Sequence, residues 1–126
     1  MGKKNSSNGG VYADCWHIPG GGIEENETEI AALKREILEE VGITFLDAQL
    51  VDDFGSGESI KTLKTGEQVI CQMKFHVYEV RLPTDALQTE VKLSDDLVET
   101  IWVEKENIWH YKLTPPSTDL FKRLDL

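Results

Sequence analysis

The chain has 126 residues, 40% of them apolar and 29% charged, with 13 Lys+Arg against 23 Asp+Glu and a formal net charge of −10. That size fits one domain able to bury a core, and the balance of residue types excludes wholesale disorder. No run approaches the roughly 18 apolar residues of a membrane span, the opening stretch MGKKNSSNGG lacks the apolar centre of a secretory signal, and so acidic a surface lacks the Lys/Arg stripes that grip a nucleic-acid polymer.

A small phosphorylated ligand stays open, because a divalent cation bridges carboxylates to phosphates. Cys15 and Cys71 are the two cysteines. They are too few for a disulfide framework and lack metal-site spacing, so they read as reduced, buried thiols of a cytoplasmic protein.

In chain order, residues 1–10 are rich in Gly, Ser, Asn and Lys and read as a loose segment ahead of a single domain over 11–126. Val11–Pro19 reads as a short strand, followed by a turn at Gly20, Gly21 and Gly22. The strongest helical pattern runs from Glu27 to Val41, with Ile30, Leu33, Ile37 and Val41 on one apolar face. Asn26 and Glu29 have the spacing of a capping box, and Gly42 is a natural stop. Phe45–Phe54, Ser59–Leu63, Gln68–Leu82 and Val98–Val103 read as strands, with a turn at Lys64-Thr65-Gly66 between the second and third. Glu104–Trp109 reads as a short helix, and Pro115-Pro116 introduces a final one over Ser117–Leu124. Strands around one strong helix, with a second helix at the end, suggest an α/β sandwich with a mixed sheet.

Chemistry concentrates on the polar face of the first helix. Glu36, Glu39 and Glu40 stand at i, i+3 and i+4, which brings their Cβ atoms to about 5–6 Å of one another. Each like-charged pair costs a few tenths of a kcal/mol, and Glu39 and Glu40 lie in the last turn, where the helix dipole favours cations. A bound divalent cation would relieve both. Taken alone, three glutamates are more often a solvated helix face, since Glu is a good helix former. Context favours a site: the glycine turn lies just upstream, and Arg35 follows Glu27 by eight residues, an ion pair that would fix the turn against the helix.

Gly21 to Ile43 reads GGIEENETEIAALKREILEEVGI. This resembles the Nudix box, G-x5-E-x7-R-E-U-x-E-E-x-G-U with U a bulky aliphatic residue. Gly21, Glu27, Arg35, Glu36, Ile37, Glu39, Glu40, Gly42 and Ile43 match every fixed position. The entry Trp16-His17-Ile18-Pro19-Gly20-Gly21 and the later Ile101-Trp102-Val103 are also similar to the family's pattern.

The resemblance implies a Nudix-type α/β/α sandwich with a mixed sheet, and a pyrophosphohydrolase cutting a nucleoside diphosphate linked to another group. The second half is most similar to MutT-like members, which take nucleoside triphosphates to monophosphates and pyrophosphate. It also implies Mg²⁺ or Mn²⁺ held by Glu36, Glu39 and Glu40, with the Gly21 carbonyl as a further ligand and Glu27 orienting the site through Arg35. The general base would be a box glutamate, Glu39 or Glu40, or Asp96, which stands six residues before Trp102 beside Asp95. Ser59 stands where ADP-ribose hydrolases carry Pro, and Glu58, Ile60 and Lys61 do not supply the Tyr of dinucleoside-polyphosphate hydrolases. Competing readings are a nucleotide sensor and an inactive member.

Other residues have plainer readings. His17 reads as a structural histidine and Trp16 as core. Tyr12, Phe54 and Phe75 are candidates for a nucleobase pocket, and Lys61 and Lys64 for a phosphate contact or a solvated hairpin. One departure stands out: the family has an opening strand before Trp16, and polar Met1–Gly10 is not expected to supply one. Either the chain is shortened or the sheet is completed another way. An unpaired sheet edge invites pairing, which points to a homodimer or an exchanged strand.

Overall fold

A computed structural model describes the chain except residues 5–13 and 95–96, and leaves the side chain of residue 59 undescribed. The element order is β1 (Gly2–Lys4), β2 (Trp16–His17), α1 (Glu29–Val41), β3 (Asp47–Asp52), β4 (Ser56–Thr62), β5 (Gln68–Lys74), β6 (Val77–Arg81), β7 (Leu97–Thr100) and α2 (Pro115–Arg123), with short 3₁₀ turns at Ala86–Gln88 and Lys105–His110. This is a mixed α/β fold built on antiparallel ladders: β2-β1-β7, β3-β6 and β4-β5. One isolated parallel bridge, Trp16 to Leu113, ties β2 to the segment before α2.

The expectation that Met1–Gly10 supplies no strand is overturned at its start. Gly2–Lys4 is the central strand of its sheet, pairing Gly2 with His17 and Thr100, and Lys3 with Trp16 and Glu99. Met1 extends the ladder, its N donating to the Ile101 carbonyl at 2.7 Å and its carbonyl accepting the Ile101 N–H at 2.9 Å. Backbone pairing on both edges holds this strand, so it needs no apolar alternation of its own. With this strand in place, no missing opening strand calls for a dimer or an exchanged strand. Lys3 Nζ also lies 5.4 Å from the Trp16 ring centroid, a cation–π contact within the sheet.

Helix α1 begins two residues later than the pattern suggests. Asn26 adopts φ 63°, a left-handed turn conformation, and the Glu27 N–H donates to the Glu24 carbonyl at 3.1 Å. Glu27 thus belongs to a turn, and Thr28 is the N-cap, its Oγ1 accepting the Ala31 N–H at 3.1 Å. Gly42 ends the helix at φ 68°, its N–H donating to the Leu38 carbonyl at 3.0 Å, a left-handed cap that a side chain would strain.

The long strand expected over Gln68–Leu82 is two strands. It breaks at Phe75-His76, where the Phe75 N–H bonds the Gly55 carbonyl at 2.9 Å; β5 then pairs with β4, and β6 with β3. Helix α2 starts at Pro115, where the missing N–H costs nothing, and is capped by Thr114.

Two apolar clusters form the core. Ile37 and Val41 of α1 meet Ile43 and Leu97, with Leu33, Leu82 and Val91 against them. Leu120 and Phe121 of α2 meet Ile108, flanked by Ile18, Val77 and Val103. Ile30, expected on the apolar face of α1, is exposed because the first cluster stops short of that turn. Cys15 is buried and Cys71 half-buried, both free thiols. No described helix is long and apolar enough to cross a membrane.

Candidate functional site

The glycine turn at Gly20–Gly22 folds onto the polar face of α1, and three contacts fix it there. The Gly20 N–H donates to Glu40 Oε2 at 2.8 Å. Arg35 Nη2 donates to the Gly22 carbonyl at 2.9 Å. Gly21 lies so close to Glu36 that an added Cβ would stand 2.2 Å from its carboxyl carbon. That approach requires glycine, and it sets peptide groups of the turn beside two of the helix carboxylates.

Arg35 is the centre of the site's charge. It grips Glu27 with two parallel hydrogen bonds, Nε to Oε2 at 2.8 Å and Nη2 to Oε1 at 2.9 Å. Its Nη1 donates to Glu36 Oε1 at 2.7 Å and to Glu39 Oε2 at 3.3 Å, and lies 3.8 Å from Glu24 Oε1. Planar guanidinium matches carboxylate in this bidentate manner, and lysine could not. The Arg35 hydrogen bonds, helped by the Glu24 N–H, hold the Glu27 carboxyl down at about 2. The same bonds, from Glu27 first and then Glu36, raise Arg35 above its ordinary value.

Glu36 and Glu39 therefore already have a partial countercharge in Arg35, so a bound cation is not their sole source of relief. Among the described residues, no three His, Cys, Asp or Glu groups stand gathered as a ready-made metal cluster. The residues nevertheless fit a hard divalent cation. The donors available on Glu36, Glu39, Glu40 and the Gly21 backbone are all oxygen, and the close approach at Gly21 would be lost with any side chain there.

The other candidates separate. Asp96, Asp95 and Tyr12 lie outside the described residues. His17 is half-buried, with Nδ1 donating to the Ile18 carbonyl at 2.8 Å, while Nε2 has no partner among the described residues. Burial pushes its protonation below the ordinary histidine range. Trp16 is buried and stacks edge-on against Tyr111 at 5.9 Å, as a core residue does. Trp102 lies just past β7 and is exposed. Phe54 and Phe75 come together in a cleft of about 160 Å³ with Asp119 and Arg123 of α2, and none of the box carboxylates lines it.

Two clusters escaped sequence reading. Tyr78 Oη donates to Glu29, and His76 Nδ1 lies 2.9 Å from the other oxygen of the same carboxylate. These contacts, the Tyr78 hydroxyl first, hold Glu29 below the ordinary carboxylate range and tie the first turn of α1 to β6. Asp52, buried, takes two hydrogen bonds from Arg123, at 2.9 and 3.0 Å, which lower its carboxyl and lock β3 to α2. The partners are 49 and 71 residues apart. No local spacing signals them.

The glycine turn, the Arg35 hub and the carboxylates of α1 are the parts of the Gly21–Ile43 box, and the fold brings them together. The NUDIX domain model matches residues 4–124, and the chain belongs to the Nudix family. It is a hydrolase of phosphoric anhydride bonds, of a family that generally works with divalent metals. Among its relatives is "Nucleoside triphosphatase NudI" of Escherichia coli (strain K12), 32% identical over 113 residues that cover 87% of this chain and 76% of the relative. The protein of the same name from Escherichia coli O17:K52:H18 (strain UMN026 / ExPEC) is 31% identical over the same coverage.

Proposed function

We propose that this chain is a Mg²⁺-dependent pyrophosphohydrolase that takes a nucleoside triphosphate to its monophosphate and pyrophosphate, with Mn²⁺ able to substitute. The observation that carries this reading is the convergence of the Gly20–Gly22 turn on Glu36 and Glu40, clamped by Arg35. The printed name of the NudI relatives, nucleoside triphosphatase, supports the substrate class.

Glu36, Glu39, Glu40 and the Gly21 carbonyl would hold the cation. When bound, it offsets the charge of the polyphosphate and favours attack of water at phosphorus. Glu40 or Glu39 accepts the proton of the attacking water, with Asp96 as the loop alternative. Glu27 acts through Arg35: the pair keeps the glycine turn seated on the helix and orients Glu36, a supporting role of the kind on which metal sites depend. Phe54 and Phe75 offer apolar walls for a nucleobase. The reading includes one domain that takes in β1 at Gly2–Lys4 rather than starting at residue 11, a small-molecule nucleotide rather than a nucleic-acid polymer, and a place in the cytoplasm.

The test is pyrophosphate release from a panel of nucleoside triphosphates with Mg²⁺, for wild type and Glu40→Gln. Release that is lost in the folded variant supports the reading. No turnover on any nucleotide, together with thermal stabilisation by one of them, would instead make the chain a sensor.

A further inference from the structure

The bonds that shape the box and the bonds that hold it to the sheet are different sets. Those of Arg35 stay inside the box: Glu27, Glu36, Glu39 and the Gly22 carbonyl all lie within 13 residues of it in sequence. They fasten α1 to its own glycine turn, and helix and turn can shift together without breaking them. An apolar cluster holds that unit to the rest of the molecule, with Ile37 and Val41 against Ile43 and Leu97. Such burial is non-directional, so it fixes depth better than rotation. At the C-terminal end of the helix, the Lys92 and Ser94 N–H groups donate to the Val41 and Glu40 carbonyls at 2.8 and 3.1 Å.

Glu29 does the corresponding work at the other end. Its carboxylate takes the Tyr78 hydroxyl on one oxygen and His76 Nδ1, at 2.9 Å, on the other. Unlike apolar contacts, these hydrogen bonds have a preferred direction. At 3.6 residues per turn, Glu36 and Glu40, seven and eleven residues further on, fall within about 20° of Glu29 around the helix axis. One stripe of α1 thus sets Glu29 against β6, Glu36 against Gly21 and Glu40 against the Gly20 N–H. A twist of the helix that carried Glu29 off Tyr78 would turn both box carboxylates through the same angle. We infer that Tyr78 is a positioning residue of this site: through Glu29, its hydroxyl sets the rotation of α1 about its axis, and with it the direction in which Glu36 and Glu40 project. The inference rests on the reading that those carboxylates hold the divalent cation.

Titration calorimetry with Mn²⁺ alone tests it. Tyr78→Phe keeps the ring and loses only the hydrogen bond, and it should bind Mn²⁺ about tenfold more weakly than the wild type. Asp52→Ala loosens β3 from α2 without touching the box, and it should keep the wild-type affinity. In a Glu29→Ala background, Tyr78→Phe should cost nothing further, because the hydroxyl acts through that carboxylate. Should Tyr78→Phe fail to fold, Glu29→Ala decides, with the same tenfold loss expected. Wild-type affinity in the deciding variant, or an equal loss in Asp52→Ala, overturns the inference and leaves the cation site standing. A wild type that takes up no Mn²⁺ overturns the cation site and the inference with it.

Discussion

The glycine turn on α1 and the β4–β5 hairpin, separated in sequence by β3, are opposites in construction. In the first, Arg35 reaches Glu27, Glu36 and Glu39 while the turn's own peptide groups answer Glu40 and Arg35. In the second, Ile60 and Ile70 face open space across a regular ladder. The difference shows where this small domain spends its specificity. Charge-assisted and bidentate hydrogen bonds fix both distance and direction, while an uncovered ladder fixes only its own register.

Substitutions sharpen that contrast. Glu40→Gln should reduce pyrophosphate release by at least about 100-fold with the far-UV spectrum unchanged, because it removes an anionic donor that the Gly20 N–H positions. Gly21→Ala should displace the end of the flexible Glu36 side chain rather than the backbone, lowering turnover on the order of 100-fold in a folded protein. A Gly21→Ala enzyme of normal activity would show that Glu36 does not need its present place.

Stability effects come next. Asp52→Ala strands Arg123 and cuts the link between β3 and α2, so a scanning thermal melt should show Tm lower by roughly 10 °C. Glu27→Gln should destabilise in a pH-dependent way. The Glu27 carboxyl is held at about 2, below the ordinary 4.5. Its contribution is therefore complete above that ordinary value and is lost as pH falls towards 2. The Tm gap between wild type and Glu27→Gln should be full near pH 6 and close on the way down to pH 2; a gap that persists in acid would assign the loss to something other than this ionised pair.

Gly42→Ala should cost about 1 kcal/mol, from a side chain at φ 68° and a Cβ placed 2.9 Å from that of Lys92. Ile60→Thr should change stability by no more than about 0.5 kcal/mol, as expected of a surface position. A large loss would mean that the hairpin face is covered.

The box was legible in the sequence because its chemistry imposes fixed spacings: Glu27 to Arg35, the i, i+3, i+4 carboxylates, and a glycine at each end. Helix α1, its stop at Gly42 and the hairpin turn at Lys64-Thr65-Gly66 were legible for the same local reasons. Strand β1 was not, since Gly2–Lys4 is held by backbone bonds from both neighbours, and polar composition says nothing of those. The division of Gln68–Leu82 was hidden because the period of two continues through Phe75-His76 while the pairing partner changes from β4 to β3. The Glu29–Tyr78–His76 and Asp52–Arg123 contacts depend on tertiary packing alone.

The account stands most directly on divalent-cation uptake by the α1 carboxylates, read by titration calorimetry with Mg²⁺ and Mn²⁺ on wild type and a folded Glu36→Gln/Glu40→Gln double variant. It predicts saturable binding by the wild type, loss of that binding in the double variant, and pyrophosphate release that follows occupancy. Equal uptake by both proteins, or release that continues undiminished in excess chelator, would contradict it.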